Sequence, residues 1–221
     1  MKKILVFAPH PDDETIGCGG ALLRHKENGD EISCVITTKL RKSTNLSKEL
    51  ISEKENEIEK VKKIYNFKFF EMLDFTPSEL DTIPKNLLIS KISDLLSKNK
   101  PEVIYIPYIN DAHTDHQIIS KAITSASKWF RSESIKEIIM YETLSETNYN
   151  FLETEEFKPN YFVDITKYLV KKLEICKCYK TEFQKHPFPR SEESIRSLAK
   201  LRGSQSGYEA AESFKLIFKR K

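Results

Sequence analysis

Between Lys3 and Tyr141 the chain alternates short apolar runs with amphipathic stretches of helical period, and this alternation excludes most folds. The Ile-, Val- and Phe-rich run Lys3–Ala8 predicts a buried strand, and Thr15–Asn28, which opens with small residues, predicts the helix that follows it. Further strands are expected near Glu31–Thr37, Phe67–Leu73, Val103–Pro107 and Glu137–Tyr141, separated by helices near Ser47–Tyr65, Ile83–Lys98 and Asp115–Phe130. Repeated units of this kind require a mostly parallel sheet with helices on both faces. The expected fold class is α/β, a three-layer sandwich with strand order 3-2-1-4-5. The helix after Asp115 is the clearest: Ile118, Ile119, Ala122, Ile123, Ala126, Trp129 and Phe130 fall on one side and should lie on the sheet.

Past Glu142 the alternation weakens. A strand at Asn160–Asp164, a helix at Ile165–Tyr179, a Pro-containing stretch, another helix and an apolar run at Phe214–Phe218 are expected to form a C-terminal extension. It should complete the sheet's edge and cap whatever site the sheet carries, within one domain spanning 1–221. A chain of 221 residues is of the right size for that.

Lys and Arg total 36 and Asp and Glu 33, so the net charge of +3 argues against a nucleic-acid or acidic-membrane partner. The charged run from Ser47 to Lys63 reads as the wet face of a helix carrying Ile58, Val61 and Ile64. No apolar stretch approaches the roughly 20 residues of a membrane span. Cys18, Cys34, Cys176 and Cys178 are few and irregularly placed, which suits reduced thiols and a cytoplasmic location better than a disulfide framework.

Leaving the first strand, the chain reads Pro9-His10-Pro11-Asp12-Asp13-Glu14. Three adjacent acids repel unless a cation or hydrogen-bond donors compensate them, and capping a helix needs only one. Leaving the fourth strand it reads Asn110-Asp111-Ala112-His113-Thr114-Asp115-His116, a second cluster in the equivalent place. In a sheet ordered 3-2-1-4-5 these two strands flank the switch point, where their loops line the ligand crevice. Two histidines and one carboxylate there supply three ligands and leave a position open, the arrangement of a catalytic zinc. His10, Asp13 and His116 are assigned as ligands. Asp12 is the spare carboxylate and the general base. His113 is placed to hydrogen-bond or protonate a developing oxyanion, with Asp115 orienting its ring or keeping it charged. Glu14 belongs behind the ligands or, with Asp111 and Arg41, among the substrate contacts.

Through the HPDDE segment at His10–Glu14 and the HxDH segment at His113–His116, the chain resembles the LmbE-like or PIG-L-like de-N-acetylases. The C-terminal residues Arg202-Gly203, Gly207 and Ala211-Glu212-Ser213-Phe214 are similar to that family's RG…G…AEAF stretch, so the likeness spans nearly the whole chain. The resemblance implies a Rossmann-like fold, one zinc on the first-motif His, its second Asp and the last His of HxDH, and the first Asp as base. It implies removal of an N-acetyl group from an amino sugar or its conjugate. Thr114 replaces the usual proline of the second motif, and Lys39-Leu40-Arg41-Lys42 stands where a Gly-Glu-Arg-Gly-like segment is common.

Other readings are weaker. Gly17-Cys18-Gly19-Gly20 is displaced from the strand-to-helix turn that a dinucleotide fingerprint needs, and Thr37-Thr38 stands where its acid would be. Those glycines are read as permitting close helix–sheet packing. A non-haem iron oxygenase shares the two-His-one-carboxylate set, so Fe2+ or another divalent metal stays open beside Zn2+. A metal-dependent amidase on a non-sugar amide and a non-catalytic sugar-binding protein are the remaining alternatives. His25 and His186 lack companions of this kind and are read as surface residues. The partner is a small-molecule amino sugar, and a homo-oligomer is compatible with the sequence.

Overall fold

The computed structural model describes residues 1–40, 47–151 and 156–221. Strands β1 (Lys3–Ala8), β2 (Glu31–Thr38), β3 (Phe70–Phe75), β4 (Val103–Pro107), β5 (Glu137–Tyr141), β6 (Tyr161–Asp164) and β7 (Ala211–Lys219) form one sheet of order β3-β2-β1-β4-β5-β7-β6. The five strands from β3 to β5 are parallel, and the expected 3-2-1-4-5 order is found. The extension adds β7 antiparallel to β5, with β6 antiparallel outside it. The sheet is covered by α1 (Asp13–Glu27), α2 (Lys48–Tyr65), α3 (Lys85–Asn99), α4 (Thr114–Ala126), α5 (Leu169–Cys176) and α6 (Glu192–Ser206).

The side-chain period of two explains the layers. On β1, Ile4, Val6 and Ala8 pack under α1, α2, α5 and α6, whereas Leu5 and Phe7 pack under α3 and α4. Both faces of the central strands are therefore dry, which is why they read as unbroken apolar runs. Among the described residues no helix is long and apolar enough to cross a membrane, and all four cysteines are free thiols.

Helix α1 carries the first motif and is held unusually tightly. It breaks at Cys18, whose φ of −144° and ψ of 21° leave the helical region. The amides of Gly20 and Ala21 beyond the break donate to Glu212 of β7 at 2.8 and 2.7 Å. Lys172 of α5 donates both to Glu212 and to the Ile16 carbonyl at 2.7 Å, neutralising the buried carboxylate. The C-terminal motif is thus structural: Glu212 caps the restarted helix, Arg202 makes a bidentate pair with Glu142 at 2.8 and 2.6 Å, and Gly207 ends α6 at φ 79°.

Several expectations are corrected. Helix α4 stops at Ala126, because the Ser127 hydroxyl turns back onto the Ile123 carbonyl at 2.7 Å and the chain turns away. Trp129 and Phe130 are consequently 60% and 57% exposed rather than packed on the sheet. Strand β3 starts at Phe70, since Phe67 turns its ring onto Tyr65, 5.0 Å away. Helix α5 is confined to Leu169–Cys176. His25 is half-buried and partnered, with Nδ1 2.8 Å from Asp30 and Nε2 3.0 Å from the Tyr105 hydroxyl. His186 is exposed.

The glycines after the first motif do permit close approach. A Cβ on Gly17 would lie 2.2 Å from the Tyr141 ring, and one on Gly20 2.5 Å from Ile165. The Tyr141 ring cannot swing aside cheaply, because its hydroxyl donates to the Phe7 carbonyl at 2.9 Å. Ala is intrinsically the better helix former by about 1 kcal/mol, yet Gly17→Ala is expected to destabilise the protein by about 1–3 kcal/mol through overpacking. A denaturant midpoint equal to or above that of the parent would refute the close-packing role.

Candidate active site

Asp12 shapes the turn after β1. Its backbone sits at φ 127°, ψ −31°, a region L-residues rarely adopt. Its carbonyl accepts the Thr15 and Ile16 amides at 2.9 and 2.8 Å and so starts α1. Within this turn the His10 amide donates to Asp13 Oδ2 at 2.9 Å, and His10 Nδ1 lies 3.4 Å from the same oxygen. The turn after β4 meets it from across the switch point. His116, in the first turn of α4, places Nε2 3.2 Å from Asp13 Oδ2. His10, Asp13 and His116 each offer a ligand atom within 4.8 Å of the others.

Both histidines are braced from behind by a carboxylate. His10 Nε2 lies 2.9 Å from Asp115 Oδ2, which also accepts the Ser78 amide at 2.8 Å. His116 Nδ1 lies 2.8 Å from Asp111 Oδ2, and the Thr147 hydroxyl donates to the other Asp111 oxygen at 2.6 Å. Each ring therefore spends one nitrogen on a carboxylate and turns the other toward Asp13. His116 Nε2 is buried and makes no hydrogen bond, a costly state for a polar atom unless it binds something other than protein. Two imidazoles, one carboxylate and a brace behind each ring fit a divalent cation of the zinc type with an open position. A second grouping of His10, His113 and Asp115 also lies within that reach. There, however, His10 Nε2 and Asp115 Oδ2 already bond each other.

Asp12 and His113 face a cavity of about 270 Å³ beside this cluster. Asp12 Oδ2 accepts from Arg190 Nη1 at 2.6 Å. His113 Nδ1 accepts the Asp115 amide at 3.1 Å, which leaves Nε2 to carry the hydrogen of the neutral ring. Leu40, Ile51, Met72 and Pro77 give the cavity an apolar side, and Lys54, Glu146 and Glu182 a charged one.

The electrostatics separate the three consecutive acids. Burial lifts Asp13, but the neighbouring His116 charge and the His10 hydrogen bond outweigh it and hold the carboxyl well below the usual range. Burial and the adjacent Asp13 charge push Asp12 well above that range, against the pull of Arg190. Glu14 is also raised by burial. Burial drives His10 down, yet its hydrogen bonds to Asp115 and Asp13 prevail and carry it up to about 9. His113 is lowered by burial and by the His10 charge.

Side-chain directions bear on three assignments. Asp115 does not serve His113 through its carboxylate, which bonds His10 and stays 4.0 Å from His113 Nδ1; nor is His113 kept charged. Asp111, expected among the substrate contacts, is fully buried behind His116 and is not part of the cavity lining. Glu14 takes the first of its two expected places, buried behind the ligand set, where it accepts from the Thr15 and Tyr179 hydroxyls at 2.6 and 2.8 Å. Arg41 lies outside the described residues. Arg190, Glu182, Glu146 and Lys54 carry no motif signal, and only their convergence in space marks them.

The sequence matches the family model for the GlcNAc-PI de-N-acetylases, PIG-L, over residues 5–127. It is 26% identical to the diacetylchitobiose deacetylase of Thermococcus kodakarensis, over 98% of this chain and 84% of that protein. The fold superposes with a TM-score of 0.79 on the N,N'-diacetylchitobiose deacetylase of Pyrococcus horikoshii, at 23% identity over 98% of this chain and 84% of that one. It also superposes at 0.77 on the 4-carboxy-2-hydroxymuconate hydratase of Pseudomonas putida, at 19% identity over 100% and 98% of the two chains. With more than half of its length matched by the family model, this chain belongs to the PIG-L family.

Proposed function

We propose that the protein is a metal-dependent hydrolase that removes the N-acetyl group from an N-acetylated amino sugar or its conjugate. The observation that carries the reading is the pair of braced imidazoles converging on Asp13, with the Asp12 carboxylate and a neutral histidine on the cavity side. Family membership and the deacetylase relatives support it. His10, Asp13 and His116 would hold the ion, which we assign as Zn2+. Once bound, it would polarise the amide carbonyl and bring the pKa of a water toward about 7.

The protein's own groups supply the rest. Asp12, buried and raised, suits a base that accepts a proton from the attacking water and carries it to the departing amine. His113, neutral and anchored at Nδ1, donates from Nε2 to the oxygen that becomes negative in the tetrahedral state. The burial of Asp12 and Asp13 excludes bulk water from the reacting corner, strengthening both contacts. A cavity of about 270 Å³ lies near the lower bound of small-molecule sites, about 300 Å³, which suits one sugar ring and its acetamide.

Acetate release from a panel of N-acetylated sugars, with and without a chelator and under anaerobic conditions, tests the reading. Turnover that needs oxygen, or that survives complete metal removal, would overturn it. Asp12→Asn should lower kcat by at least about 10²-fold while leaving bound zinc unchanged; an active variant would remove Asp12 from its role. Asp111→Asn should weaken zinc binding by about 10–100-fold, because it loosens the brace on His116, and unchanged affinity would remove that function.

Ligation also has a pH signature. His10 holds its proton below about 9, and an imidazole must lose that proton to bind a metal. Zinc affinity should therefore fall as pH drops below about 9, by about tenfold per unit for each proton displaced. A flat profile between pH 9 and 7 in competition titrations would contradict this ligand set.

A further inference from the structure

We propose that Arg190 is the positioning residue for Asp12, fixing which of its two carboxylate oxygens faces the reacting corner. The inference rests on the reading of Asp12 as base. The final torsion of an aspartate is broad and roughly two-fold, so packing alone does not choose an oxygen. Asp12 is also flanked by two further buried acids, Asp13 and Glu14, whose charges push its carboxylate away from them. Arg190 Nη1 takes Oδ2 at 2.6 Å, which assigns Oδ1 to the water.

Arg190 is itself held on several sides. It sits between Pro189, whose ring limits the backbone, and Ser191, whose hydroxyl caps α6 by accepting the Ser194 amide at 3.1 Å. The Ser191 amide returns to the Phe188 carbonyl at 3.0 Å, and the guanidinium lies 5.9 Å over the Phe188 ring. Glu182 Oε2 lies 3.4 Å from Nη1. Glu182 in turn accepts from Lys54 of α2 at 2.8 Å. A chain of alternating charges, Lys54, Glu182, Arg190 and Asp12, thus runs along the cavity wall from α2 to the first-motif turn.

A positioning role predicts a particular kinetic pattern with zinc-loaded enzyme acting on N-acetylglucosamine or N,N'-diacetylchitobiose. Arg190→Ala should lower kcat by about 10²-fold, the usual effect of misplacing a reacting group by about 1 Å. KM and zinc content should stay within about twofold. Millimolar guanidinium should restore part of the lost rate, and Arg190→Lys, which keeps the charge but loses the planar fork, should fall between the two. In the Asp12→Asn background, removing Arg190 should change kcat by less than about twofold, because the two residues act as one unit.

A raised KM with kcat unchanged would overturn the proposal by making Arg190 a substrate contact. A further large loss in the Asp12→Asn background would also overturn it. If Arg190→Ala fails to fold, Arg190→Lys and Glu182→Gln carry the test: wild-type kcat in both refutes the role, and a lowered kcat at constant KM supports it. If the wild-type protein with zinc bound releases no acetate from any N-acetyl sugar, the deacetylase reading itself falls, and the role of Arg190 with it.

Discussion

The contact between His10 Nε2 and Asp115 Oδ2, 2.9 Å long, joins the turn after β1 to the first turn of α4. It ties two loops on adjacent strands together, while its counterpart between His116 and Asp111 braces the second loop from within. Neither contact faces the cavity, yet each decides where a reactive nitrogen points. The sheet contributes the scale: β1 and β4 are hydrogen-bonded neighbours, so their carboxyl ends are one strand spacing apart, about 4.8 Å. Side chains leaving those ends can converge on one point without any long loop.

Three consecutive carboxylates survive in this environment because each is compensated differently. Asp13 lies against two imidazoles, Asp12 against a guanidinium, and Glu14 against the hydroxyls of Thr15 and Tyr179 and the Asp12 amide. The compensating groups come from the turn after β1, α1, α4, the turn trailing α5 and the segment before α6. The acidity of the turn is therefore a property of the assembled fold, not of the local sequence.

Much of this was legible in the sequence. The parallel strands, their order and the convergence of His10, Asp13 and His116 follow from apolar periodicity and from the two motifs at equivalent strand ends. What was not legible depends on the direction of a side chain. Asp115 and His113 are two apart, so pairing them seems natural, but on the first turn of a helix the Asp115 carboxylate swings toward His10 and only its amide meets His113. Asp111 looks like a loop acid open to substrate until the Thr147 hydroxyl and His116 are seen to enclose it. Arg190 is 178 residues from Asp12, and no local pattern marks it. The end of α4 and the start of β3 depart from the apolar periodicity for a related reason, since a serine hydroxyl and an aromatic contact set them.

The interrupted helix α1 ties the two ends of the sequence together. The helix that bears Asp13 resumes beyond Cys18 only where Glu212 receives its free amides, and Glu212 is 199 positions downstream of Asp13. A chain lacking β7 would leave those two amides of its first helix without an acceptor, so the second half of α1 depends on the far end of the sequence.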